Sequence, residues 1–225
     1  MITEAAVRLD ENPDGIEPVS DETVIWRYLT LDKFLDLIVK ERLYFHAISQ
    51  LPDQFEGGRR KGGFVLDTPF SSPEQVAVPE ASYASCWSLD TEENYALWKI
   101  YLGSAGVAIK TTVGKLKEAI SFSKVPESFP LYIVKVHYGF NESGERLRLL
   151  TTKTIPYAYE KELRLVVYGE KDQQGLYGSV DPLKLIEEIR LSPFSHNYNE
   201  SIQTALEKVA PELKSRFVNS EIDEK

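Results

Sequence analysis

Residues 157–168 read YAYEKELRLVVY, and the fold turns on whether they form one strand. Strand alternation puts Tyr159, Lys161, Leu163 and Leu165 on one face and Glu160, Glu162 and Arg164 on the other. Two readings follow. The charged face is either a solvated surface with a diagonal Glu162–Arg164 pair, or an acid pair facing a cleft. In the second case the two carboxylates repel and one pKa rises. Such a pair can stabilise an oxocarbenium-like centre.

Outward from this stretch the chain is rich in short strands. VIWRY (24–28), LYFH (43–46), YASCWS (83–88), GVAIKTT (106–112), LYIVKVHYG (131–139) and LIEEIRLSP (185–193) read as strands or strand-like segments. NESGE and DQQGLYG read as turns. Between the strands lie short helical patterns. Thr30 can cap a helix with a stripe of Leu31, Phe34, Leu35, Leu37 and Ile38. Thr91 is expected to cap a second, with Leu97, Trp98 and Tyr101 at helical spacing. VGKLKEAISF is a third, and a terminal helix over NESIQTALEKVAPELKSRF is interrupted at Pro211. There is no regular βαβ alternation. The expected class is α+β, with a split, mostly antiparallel sheet core and a few flanking helices. Residues 1–20 carry no apolar period and are expected to be a flexible segment, with one domain over 21–225.

The bulk numbers exclude several classes. The 225 residues carry a formal charge of −9, against the basic surface that extended nucleic-acid binding needs. No apolar run approaches the roughly 20 residues that span a bilayer, which argues against a membrane protein. The first residues, MITEAAVRLDENPDG, lack the basic and apolar regions of a signal peptide, so the expected location is cytoplasmic. The one cysteine, Cys86, and the scattered His46, His137 and His196 offer no metal-ligand spacing, so no metal is expected. Neither a phosphate loop nor a GxSxG elbow occurs.

Other candidates have two sides. FEGGRRKGG holds Arg59, Arg60 and Lys61, either an anion grip or a solvated hairpin tip. It lies in the irregular stretch 49–82, a segment suited to covering a site. Cys86 reads as a nucleophile without an evident base, or as a structural thiol. Trp26, Tyr28, Tyr44, Trp87, Trp98 and Tyr101 are core, or walls of a cleft that stacks a flat ring. A metal-dependent nuclease fits less well, because Lys161 falls on the face opposite the glutamates.

Four ordered stretches carry a resemblance: VIWRYLTLDKFLDLIVKERLYFHAISQLPDQFEG, YASCWSLDTEENYALWKIYLGSAGVAIKTT, IPYAYEKELRLVV and IEEIRLSPF. Together they resemble the bacterial family known as domain of unknown function 2971, from about residue 24 to the C-terminal helix. That family reads Asn-Asp-Pro-Phe-Glu after its second strand; Pro52-Asp53-Gln54-Phe55-Glu56 keeps only the Phe-Glu end. The layout is also similar to the ADP-ribosyltransferase fold of the arginine, serine, glutamate type. Arg27 matches its arginine, Ser85 its serine segment without the usual small-polar triplet, and Glu160-x-Glu162 its acidic motif.

This second resemblance implies roles. Arg27 would bind the pyrophosphate or ribose of NAD. Ser85 would orient the catalytic glutamate or support the nicotinamide ribose. Glu162 would hydrogen-bond the ribose 2′-OH and stabilise the oxocarbenium ion, and Glu160 would orient the acceptor. Tyr44, Trp87 or Trp98 would stack nicotinamide. The implied activity is transfer of ADP-ribose from NAD to an unknown acceptor, or hydrolysis of NAD. The alternative is a non-catalytic ligand-sensing or protein-interaction domain on the same scaffold.

Overall fold

The computed structural model describes residues 3–5, 7–9, 16–51, 59–60, 63–64, 82–102, 105–120, 129–139, 146–169 and 174–222. In chain order the elements are β1 (Thr3–Ala5), β2 (Val7–Leu9), β3 (Val24–Leu29), α1 (Leu31–Lys40), β4 (Arg42–Ala47), β5 (Arg59–Arg60), β6 (Gly63–Phe64), β7 (Ser82–Ser88), α2 (Tyr95–Tyr101), β8 (Val107–Thr112) and α3 (Val113–Ala119). There follow β9 (Phe129–Lys135), β10 (His137–Tyr138), α4 (Arg146–Leu150), β11 (Thr152–Lys153), β12 (Glu162–Tyr168), β13 (Gly175–Ser179), α5 (Pro182–Leu185), β14 (Glu188–Leu191) and α6 (His196–Val209). The class is α+β, and the longer strand pairings are antiparallel. Among the described residues no helix is long and apolar enough to cross a membrane.

Chain contacts divide the molecule into two compact units. One comprises Met1–Val19, Tyr44–Cys86 and Phe122–Gly178; the other comprises Ser20–Leu43, Trp87–Ser121 and Ser179–Lys225. Each is assembled from three separate stretches, so no linker separates them in the sequence.

In the first unit the strand order is β1-β13-β4-β7-β12-β9-β2. The lead-in supplies β1 and β2, which run parallel to β13 and β9. β12 lies between β7 and β9, and its residues 162–167 are all buried. A central strand is covered on both faces, so alternation does not expose the charged side of β12. Over the Ala84 and Val166 side, Leu147 and Leu150 of α4 pack with Ile48 and Val134. β5 and β6 pair antiparallel. The remainder of the 52–81 stretch, including Lys61, lies outside the described residues, as do the side chains of Arg59 and Arg60.

In the second unit β8 lies between β3 and β14, antiparallel to both. Trp26, Trp98, Leu102 and Ala108 form a buried cluster, with Tyr28, Phe194 and Ile222 packed against it. α1 buries Phe34 and Leu37, then ends at Glu41 in the left-handed region (φ 50°). α2 begins later than the sequence predicts. Its N-cap is Asn94, whose side chain accepts from the Ala96 and Leu97 N–H groups, whereas Thr91 stands outside the helix. Tertiary contacts fix that start. The Asn94 N–H donates to the Tyr28 hydroxyl at 2.7 Å, and the Asn94 amide donates to Asp90 at 2.9 Å.

Candidate functional site

The stretch 157–168 is not one strand. Residues Ile155–Glu160 form a 3₁₀ turn with Pro156 in its first positions, and Lys161 adopts φ 43°, ψ 53°. β12 starts only at Glu162. Proline has no N–H for a sheet ladder, and the left-handed residue reverses the chain. Alternation therefore does not relate Glu160 to Glu162. Their carboxylates meet nevertheless, because both reach one lysine.

That lysine is Lys153 on β11. Its ammonium donates to Glu160 Oε2 at 2.5 Å and lies 2.9 Å from Glu162 Oε2. Arg164 approaches Glu162 from the strand side, with Nε 2.7 Å from Oε1 and Nη2 3.1 Å from Oε2. Its Nη1 donates to the Leu150 carbonyl at 2.6 Å, tying β12 to α4. Two carboxylates face two cations, so the cluster is charge-balanced. It is also closed: Glu162 is 3 % exposed and Arg164 is 0 % exposed.

The electrostatics follow from these contacts. Burial pushes the Glu162 carboxyl up, but the Arg164 guanidinium, the Lys153 ammonium and the Cys86 thiol more than reverse this and hold it at about 2. Below it, the Glu162 N–H donates to the Tyr138 hydroxyl at 2.7 Å. Burial, reinforced by the nearby Glu162 charge and only partly offset by that amide, pushes the Tyr138 phenol up to about 12. At neutral pH Glu162 is ionised and Tyr138 is neutral.

The other predicted site residues are distributed as follows. Ser85, in the first unit, is buried on β7. Alternation turns it to the face opposite Cys86, and it is the Cys86 thiol that donates to Glu162. Tyr44, also in the first unit, is half-buried against Tyr177 at a ring separation of 5.2 Å and donates to the Gln174 carbonyl. Gly175 permits this, since a Cβ there would lie 2.3 Å from the Tyr44 hydroxyl oxygen. Arg27 and Trp87 meet in the second unit, the guanidinium carbon 5.4 Å from the ring centroid. Trp98, in the same unit, sits edge-on to Tyr28 at 5.2 Å and donates through Nε1 to Glu93. Trp87 and Trp98 are both buried, so neither presents a free face to a flat ring.

The residues the sequence did not flag are Lys153 and Tyr138. Lys153 lies in a short strand beside β10, with nothing local to mark it as a partner of Glu160 and Glu162. Among the described residues no group of three His, Cys, Asp or Glu is placed to hold a metal ion. Chemically the cluster is a closed network of two carboxylates and two cations, with both Glu162 oxygens and Glu160 Oε2 engaged. Its outer surface is the turn itself: Ile155 is 69 % exposed and Tyr159 is 42 % exposed, while Glu160 at the end of the same turn is buried. Compared with protein-family models, curated proteins and solved structures, the chain matches none.

Proposed function

We propose that this chain is a non-catalytic interaction domain whose first unit presents the turn Ile155–Glu160 to a protein partner. The observation that carries the proposal is the commitment of Glu162. Arg164 and Lys153 occupy both its oxygens, and the side chain is buried. A glutamate that stabilises an oxocarbenium centre must offer an oxygen to a ribose hydroxyl. The same network gives the turn a firm base. Glu160 is clamped by Lys153 at 2.5 Å, and Ile155 and Tyr159 project into solvent from that base. Exposed apolar side chains on a fixed backbone suit docking into an apolar pocket with little ordering cost.

A second reading has its own support. The ADP-ribosyltransferase-like split sheet, with NAD as substrate and an unknown acceptor, needs an ionised glutamate beside a second carboxylate. Glu162, held at about 2, and Glu160 on the same lysine meet that need. In this reading Lys153 swings away when NAD enters.

Incubation with NAD separates the two. The interaction reading expects no nicotinamide release above a protein-free blank and no NAD-dependent change in melting temperature. Release that disappears in Glu162→Gln, with the variant still folded, would overturn it in favour of the transferase.

A further inference from the structure

In the second unit, residues 217–222 lie along the outer side of β14. Phe217 makes a parallel bridge to Ile189, and the Val218 N–H donates to the Ile189 carbonyl at 2.9 Å. Beyond them, Ser220 donates to Glu93 at 2.9 Å, and the Glu221 N–H also donates to Glu93. The Glu221 carboxylate lies 3.5 Å from Arg190, and Ile222 packs against the Trp26 and Trp98 cluster.

The floor and the strap differ in how firmly they are held. Ile189, Trp26, Trp98 and Arg190 are buried. Glu93 is fixed from the floor side by Arg190 Nη1 and Trp98 Nε1, each at 2.9 Å. These two contacts come from the floor and do not involve the strap. No residue of 217–222 is buried. Segments with few buried contacts open locally at low free energy. An opened strap uncovers a sheet edge, which is a template for another strand.

We propose that the outer edge of β14, with Glu93 and Arg190, is a strand-docking groove closed in cis by residues 217–222. In trans it accepts an extended segment of a partner protein with the same chemistry. The partner supplies a backbone N–H for Ile189, a hydroxyl for Glu93, an acidic side chain for Arg190 and an aliphatic residue for the tryptophan cluster. The preset Glu93 carboxylate selects a hydroxyl-bearing strand, because an apolar residue there would leave a buried acceptor under-satisfied. Arg190 selects the acidic residue that follows.

The test uses the full chain. Val218→Pro with Ser220→Ala removes the strap's N–H and hydroxyl and leaves the groove intact. A fluorescent peptide FVNSEIDEK is expected to bind this variant saturably by anisotropy. Adding Glu93→Gln is expected to weaken binding by about tenfold or more, the loss of charge-assisted hydrogen bonds. No saturable binding, or equal affinity with and without Glu93→Gln, would overturn the proposal. If the strap variant does not fold, the unaltered chain decides. Excess peptide must accelerate hydrogen exchange at the Val218 and Glu221 amides, and unchanged exchange refutes the groove.

Discussion

Arg164 and Glu162 sit two residues apart on β12 and form a two-point ion pair, Nε to Oε1 at 2.7 Å and Nη2 to Oε2 at 3.1 Å. Residues i and i+2 of a strand share a face, so the strand geometry itself sets the two side chains next to each other. Burial between β7 and β9 then takes it out of water, where neither charge survives alone.

Removing one partner is therefore expected to be costly. Glu162→Gln keeps the shape but leaves the Arg164 guanidinium buried with a neutral neighbour. Urea unfolding should show a loss of about 3–5 kcal/mol, the range for a broken buried pair. Replacing both, Glu162→Leu with Arg164→Met, should recover much of that loss. A Glu162→Gln chain as stable as the parent would show that the pair anchors nothing.

Acid should act on the same residue. The Glu162 carboxyl titrates at about 2 when folded, below its ordinary 4.5. A lowered folded value means that the unfolded chain binds the proton first. The stabilisation is full above pH 4.5 and is lost as pH falls towards 2. The gap is worth about 3 kcal/mol. Unfolding free energies from pH 7 to pH 2.5 should thus converge for the parent and Glu162→Gln, with the convergence confined to the range below about pH 5.

Lys161 holds φ 43° between the turn and the strand. A side chain in this region costs about 1–2 kcal/mol in a β-branched residue and little in glycine. Lys161→Gly should leave the melting temperature unchanged or raise it, whereas Lys161→Val should lower it by several degrees. The opposite order would mean that the chain reversal before Glu162 is not left-handed in solution.

The start of α2 offers a check on capping. Asn94→Ala removes the acceptor for two helix N–H groups and should cost about 1 kcal/mol, with a further loss from the severed Asp90 contact. Thr91→Ala, three residues before the Asn94 cap, should stay within about 0.5 kcal/mol of the parent. Chemical denaturation of the two variants side by side distinguishes the caps.

Many elements were legible because their causes are local. α1 follows from the apolar period of Phe34 and Leu37, and β3 and β8 from their β-branched and aromatic runs. The strand over 162–168 was legible too. Running that strand back to Tyr157 was mistaken, because 155–160 form a turn, of which Pro156 was a readable warning. Alternation alone gave no signal that Lys161 would turn left-handed.

By itself, the sequence determined the α+β class and most element positions, and it placed Glu162 and Arg164 on one strand face, since these depend on neighbours within a few residues. Only the tertiary structure decided what the glutamates became. Lys153 reaches them from another strand, Cys86 replaces Ser85 as the β7 residue at Glu162, and β12 is covered on both faces. Burial and long-range partners are properties of the packed chain. They turned a pair that alternation left open to solvent or a cleft into an enclosed ionic anchor.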